Sequence, residues 1–155
     1  MWKAFQRYRA LDPQARDLFW RAAVLLPWSA ISLRLRGFNT TRAALQKHLP
    51  PPPSPQVKST PTAQVVQITC RMVKAAAHYG IARPTCLGES LTLWYLLQKQ
   101  GVPAALRIGV RKMAQKFEAH AWVEFAGAAM NQQDEPHQHF AAFDSEFSDP
   151  SGENS

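Results

Sequence analysis

Residues 85–97 read TCLGESLTLWYLL, residues 106–112 read LRIGVRK and residues 117–125 read FEAHAWVEF. Their order decides the fold. Pro84-Thr85-Cys86 opens a helix that runs through LTLWYLL to Gln100, where Gly101 supplies a C-terminal cap. Beyond Pro103 the apolar period changes from helical to two. Leu106, Ile108 and Val110 alternate with Arg107, Gly109 and Arg111, which predicts a strand. After a turn around 113–116, Phe117, Ala119, Ala121, Val123 and Phe125 share one face of a second strand. Glu118, His120, Trp122 and Glu124 share the other. Ala126-Gly127 is a turn, and residues 128–131 read as a third short strand. Helices followed by an antiparallel meander make an α+β domain.

Working outward, Asp12-Pro13 reads as a helix start, with Asp12 as N-cap and Pro13 in the first turn. Apolar positions follow at Leu18, Phe19, Ala22, Leu25 and Leu26, and Pro27 is expected to kink or split this helix before it ends near Gly37. A short helix over 41–48 follows. Residues 50–61 hold six of the twelve prolines and read as an extended connector. Thr60-Pro61 restarts a helix whose apolar face is Val65, Val66, Thr69, Met72, Val73 and Ala76, closing near Tyr79-Gly80. The expected organisation is a helical segment 1–49, the connector 50–61, a core over 62–145 and a disordered acidic tail 146–155.

The 155 residues fit one domain, and a 46% hydrophobic content supplies a core. Net charge is +7 and unevenly placed. All eighteen Lys and Arg lie in residues 1–117 against three acids, a net +15, while residues 118–155 carry eight acids and no Lys or Arg. A basic surface of this kind suits anionic partners, or is simply a solvated basic half beside an acidic tail. No nucleic-acid motif and no regular basic-aromatic stripe accompanies it, so nucleic acid is not expected as a partner. Two cysteines, Cys70 and Cys86, and a start lacking the order of a secretory signal point to a reducing cytoplasm. The stretch LFWRAAVLLPWSAISLRL (18–35) is long enough for a membrane span, but Arg21, Pro27 and Arg34 interrupt it. It reads as a buried helix, with attachment to a membrane surface left open.

Cys86 stands at a helix start, where unpaired N–H groups and the helix dipole stabilise a thiolate, the reactive form of the residue. Backbone donors at the same end can hold an oxyanion. His120 follows on a strand, a rigid mount for a base that must stay within hydrogen-bond reach of its nucleophile. Singly, each residue is as well explained by packing. Together, a helix-start Cys and a His on a later antiparallel strand form a Cys-His hydrolase layout. Cys70 falls inside an apolar helix and reads as core. Asp134, His137 and His139 do not form a convincing metal-ligand set. No GxxxxGK[ST] loop is present.

The Cys-Leu-x-x-Ser-Leu start (86–91), the Arg-Ile-Gly-Val-Arg strand (107–111) and the His-Ala-Trp-Val-Glu strand (120–124) together resemble the transglutaminase-like leader peptidases of lasso-peptide biosynthesis, the family of the microcin-processing protein's C-terminal domain. The resemblance covers residues 62–145 well and the N-terminal helices more loosely. It implies a transglutaminase-like, papain-like core, with the nucleophile helix packed on a small antiparallel sheet. The implied activity is that of a cysteine endopeptidase that cuts the leader from a ribosomally made precursor peptide. A separate asparagine-synthetase-like cyclase then closes the ring. Cys86 matches the family's nucleophile and His120 its base. The third member, an Asp in most relatives, falls just after the Gly turn. Here the sequence is MNQQDE, which places Gln132 in that slot, flanked by Asn131 and Asp134. Fused relatives carry a leader-gripping domain, so this chain resembles the stand-alone type that works with a separate leader-binding protein. The resemblance also links members to ATP, which nothing in these residues derives. The competing readings are a transglutaminase-like protein that has lost its triad at residue 132 and a basic binding module for anionic surfaces.

Overall fold

The computed structural model describes residues 12–51, 62–80, 84–113, 116–130 and 141–142. Among the described residues three helices, α1 (Pro13–Gln46), α2 (Thr62–Tyr79) and α3 (Cys86–Lys99), precede four strands. These are β1 (Ala105–Met113), β2 (Lys116–Phe125), β3 (Ala128–Ala129) and β4 (Ala141–Ala142), in the spatial order β3-β2-β1-β4. All the pairings are antiparallel. The expected α+β class is observed.

Helix α1 corrects one expectation. Pro27 does not split it; the non-helical backbone inside α1 is at Gly37 (φ 78°, ψ 176°), near where the helix was expected to end. Proline removes one N–H but supplies the helical φ, so an already packed helix tolerates it. The φ at Gly37 is one that a Cβ disfavours, and glycine reaches it freely. The turn there is stitched by the Thr41 hydroxyl, which donates to the Gly37 carbonyl at 2.7 Å and lies 2.9 Å from Ser32 Oγ.

On α2, Val66, Thr69, Met72, Val73 and Ala76 are buried, the face that the apolar spacing predicts. Val66, Val73 and Ala76 share one cluster with Ala22, Leu26 and Leu45 of α1 and Leu91, Leu93, Leu96 and Leu97 of α3, while Met72 packs with Ala15 and Leu18 of α1. Each buried Leu or Val contributes about 1.5–3 kcal/mol, so this shared cluster binds α1 to the helices that follow the connector. A polar seam runs through it. Ser29 Oγ donates to Leu26 O at 2.9 Å and lies 3.4 Å from both Gly88 O and Thr92 Oγ1. A Cβ at Gly88 would stand 3.5 Å from Ser29 Oγ, so α1 approaches α3 closely there.

Helix α3 ends as glycine at the first position past a helix dictates. Val102 N–H donates to Leu97 O and Gly101 N–H to Gln98 O, both at 3.0 Å, with Gly101 at φ 74°. Val102 then buries beside Leu97, and the chain turns into β1. Strands β1 and β2 pair from Ala105↔Glu124 to Met113↔Lys116. The Ala126-Gly127 turn has positive φ at both residues (50° and 80°), the mirror-image turn that suits a two-residue hairpin. Strand β4, which pairs with Gly109 and Val110, was not legible beforehand: FAAF carries no alternation.

Candidate active site

Cys86 is the first residue of α3. The Thr85 backbone is extended (φ −72°, ψ 160°), and its hydroxyl accepts from the Gly88 N–H at 3.2 Å, as an N-cap should. Glu89 N–H donates to Thr85 O at 3.0 Å. The N–H groups of Cys86 and Leu87 are therefore the helix-start donors left without a partner among the described residues. The Cys86 side chain is exposed and free of any disulfide.

The start of α3 is tied to β2 by a buried bond: Ser90 Oγ donates to Ala121 O at 2.8 Å. Ser90 follows Cys86 by four residues, so the two side chains share a helix face with about 5–6 Å between their Cβ atoms. Ala121 follows His120. The nucleophile candidate and the base candidate thus stand on either side of this contact, one helical turn away on α3 and one residue away on β2. His120 is half-buried, with Nε2 screened from solvent, and its ring is near-parallel to that of Trp122 (18°, centroids 6.4 Å apart). Trp122 is fully buried, and its Nε1 donates to Glu124 Oε1 at 3.1 Å. Arg107 Nε donates to Glu124 Oε2 at 3.1 Å, locking β1 to β2 across the sheet. Val123, Phe125 and Leu106 take the alternate positions and join the helical core.

Between α2 and the start of α3 lies a cleft of about 310 Å³ lined by Lys74, Ala77 and His78 of α2 with Pro84 and Glu89. Burial pushes the Glu89 carboxyl above its ordinary value, with Lys74 opposing the shift. Between its unfolded and folded values the folded chain holds the extra proton, so the penalty for charging Glu89 grows as pH rises through that window. Glu89→Gln is accordingly expected to gain thermal stability over the parent on going from about pH 4 to pH 7. A constant difference in Tm between the two proteins over this range would refute it.

Cys70 packs against the core, and its burial pushes the thiol from 9.0 up to about 11. That removes about 99% of the thiolate it would otherwise show near neutral pH. Iodoacetamide at neutral pH is expected to mark the exposed Cys86 well before Cys70, as peptide mass mapping would record.

Asn131, Gln132 and Asp134 lie outside the described residues, as do His137 and His139. Among the described residues no three His, Cys, Asp or Glu side chains converge as a metal site would need. The start of α3 is Pro84-Thr85-Cys86 with no glycine-rich turn, so it does not fit a phosphate cradle. Sequence reading missed the anchoring role of Ser90 and the Lys74–His78–Glu89 cleft. The Cys86/Ser90 spacing was a usable signal for the first.

An exposed helix-start cysteine, a strand histidine beside the helix anchor and an antiparallel sheet agree with the comparison to known families. Residues 21–144 match the transglutaminase-like superfamily. The chain belongs to that superfamily. The transglutaminase-like match begins within α1, in keeping with the burial of that helix in the common core. The superfamily includes cysteine peptidases, and its fold commonly carries Cys-His-Asp enzymes. No significant match was found among curated proteins or among solved structures.

Proposed function

We propose that this transglutaminase-like chain is a cysteine endopeptidase that removes the leader from a ribosomally made, lasso-type precursor peptide. The observation that carries the reading is the Ser90–Ala121 bond, which holds the first turn of α3 beside His120. In the proposed reaction His120 takes the Cys86 proton and Sγ attacks the scissile carbonyl. The Cys86 and Leu87 N–H groups receive the oxyanion. The proton then passes to the departing amine, which is the new N-terminus of the core peptide. Water, deprotonated by His120, hydrolyses the thioester and frees the leader. The Lys74–His78–Glu89 cleft is the natural seat for leader residues next to the cut. A separate leader-binding protein presents the precursor, and an asparagine-synthetase-like cyclase consumes the product. Two free cysteines support a reducing, cytoplasmic setting for this work.

An imidazole acting as base needs its second nitrogen held by an acceptor, or it samples the wrong tautomer. The amide oxygen of Gln132 or Asn131 fills that role in this reading, since Cys-His-Asn sites function in papain-like proteases. Cleavage of the precursor, followed by mass spectrometry, tests it. One of Gln132→Ala and Asn131→Ala should slow the chemical step by at least about tenfold, and Gln132→Asp should retain or raise the rate. If both alanine variants cleave at the parent rate, neither amide orients His120.

A further inference from the structure

Helix α1 carries a second apolar face that the core does not use. Trp20, Val24, Trp28, Ile31 and Leu35 are all exposed, Val24 by 67% and Leu35 by 78%. At 100° per residue these five fall within an arc of about 80°, and the stripe runs about 22 Å along the helix. The opposite face, from Ala15 and Leu18 through Ala22 and Leu26 to Ser32, is buried against the rest of the fold. By length and composition the helix could cross a membrane. One whole side of it is committed to protein contacts, however, so it has the build of an element that lies on a surface.

The stripe is bordered by cations. Arg16 and Arg34 fall on one flank of the arc and Arg21 on the other, with Lys99 across an adjoining groove of about 460 Å³ lined also by Trp20, Val24, Leu25, Tyr95 and Leu96. The single acid on α1, Asp17, is paired with Arg21 at 2.8 Å. An apolar ridge with two tryptophans and flanking cations is what an interfacial helix needs. The apolar side chains enter the acyl boundary, Trp sits at headgroup level, and each Arg or Lys gains from anionic lipid. A second copy of the chain suits it poorly, because a self-contact through this stripe would set one cationic border against another.

We infer that the exposed face of α1 docks the protein on an anionic bilayer surface, with the helix lying in the interface. The assignment is independent of the peptidase chemistry, since none of the stripe residues belongs to the site around Cys86.

The test is co-sedimentation of the full chain with vesicles of phosphatidylcholine alone and of phosphatidylcholine containing phosphatidylglycerol, at low and high salt. The parent should partition to the anionic vesicles by roughly tenfold or more over the neutral ones, and lose this preference at high salt. Val24→Glu/Ile31→Glu should lose binding by a similar factor with an unchanged circular dichroism spectrum. Val24→Ser/Ile31→Ser, a gentler pair, should weaken it in the same direction. A parent that stays in the supernatant with both vesicle types overturns the inference, as does a Glu pair that sediments like the parent. So does a parent that binds no vesicle but whose acceleration by a leader-binding protein is lost in the Glu pair, because the stripe would then be a protein interface.

Discussion

Cys86→Ala is expected to abolish leader removal, by at least about a thousandfold, with the fold intact. The two halves of that result have separate causes. Catalysis is lost because the acyl group has no sulfur to occupy, and the helix-start donors alone retain only background rate. Folding survives because Cys86 is exposed at the first position of α3, outside the core, and alanine is the best helix former. The Thr85 cap and the Ser90–Ala121 anchor do not involve the Cys86 side chain. Cleavage assays paired with thermal melts check both halves. A Tm within about a degree or two of the parent is the expected control.

Trp122→Ala should have the largest effect on stability. Trp122 is 0% exposed, and truncating a buried Trp costs about 3–5 kcal/mol. That is a large share of the roughly 5–15 kcal/mol that holds a domain together. The loss has two parts: the cavity left beside His120, and the Nε1 donor withdrawn from Glu124, which must then rely more heavily on Arg107. Trp122→Phe keeps most of the volume but loses the donor, so it should cost far less than the alanine change. Urea denaturation of both variants separates the terms. Equal destabilisation by Ala and Phe would show that the hydrogen bond, and not the packing, dominates.

Much of this fold could be read from period and punctuation. The α3 helix was bounded by Thr85 and Gly101, both of which cap it as their chemistry dictates, and the β1–β2 hairpin followed from two alternating runs. The failures were of two kinds. Pro27 looked like a break because sequence shows the lost N–H but not the packing that carries the helix past it; the break stands at Gly37, near where the helix was expected to end. Strand β4 was missed because two alanines carry no alternation and form a strand only by pairing with Gly109 and Val110. At the candidate site, Cys86 at the start of α3 and His120 on β2 stand on the elements that the pattern predicts. Their neighbourhood was not legible, since Ser90 reaches Ala121 across 31 residues of chain. The cleft drew Lys74 and His78 from one helix and Glu89 from another, a pairing that no local pattern encodes.

In the proposed reaction Cys86 becomes acylated by the leader. The most direct measurement uses a leader peptide ending in an electrophile, such as an aldehyde or vinyl sulfone, at the position of the scissile carbonyl. The full chain is incubated with this probe, and the labelled residue is found by peptide mass mapping. The account predicts stoichiometric modification of Cys86, none on Cys70, and a strongly slowed reaction in His120→Ala. A probe that leaves Cys86 unmodified, or labels it equally fast without His120, would contradict it.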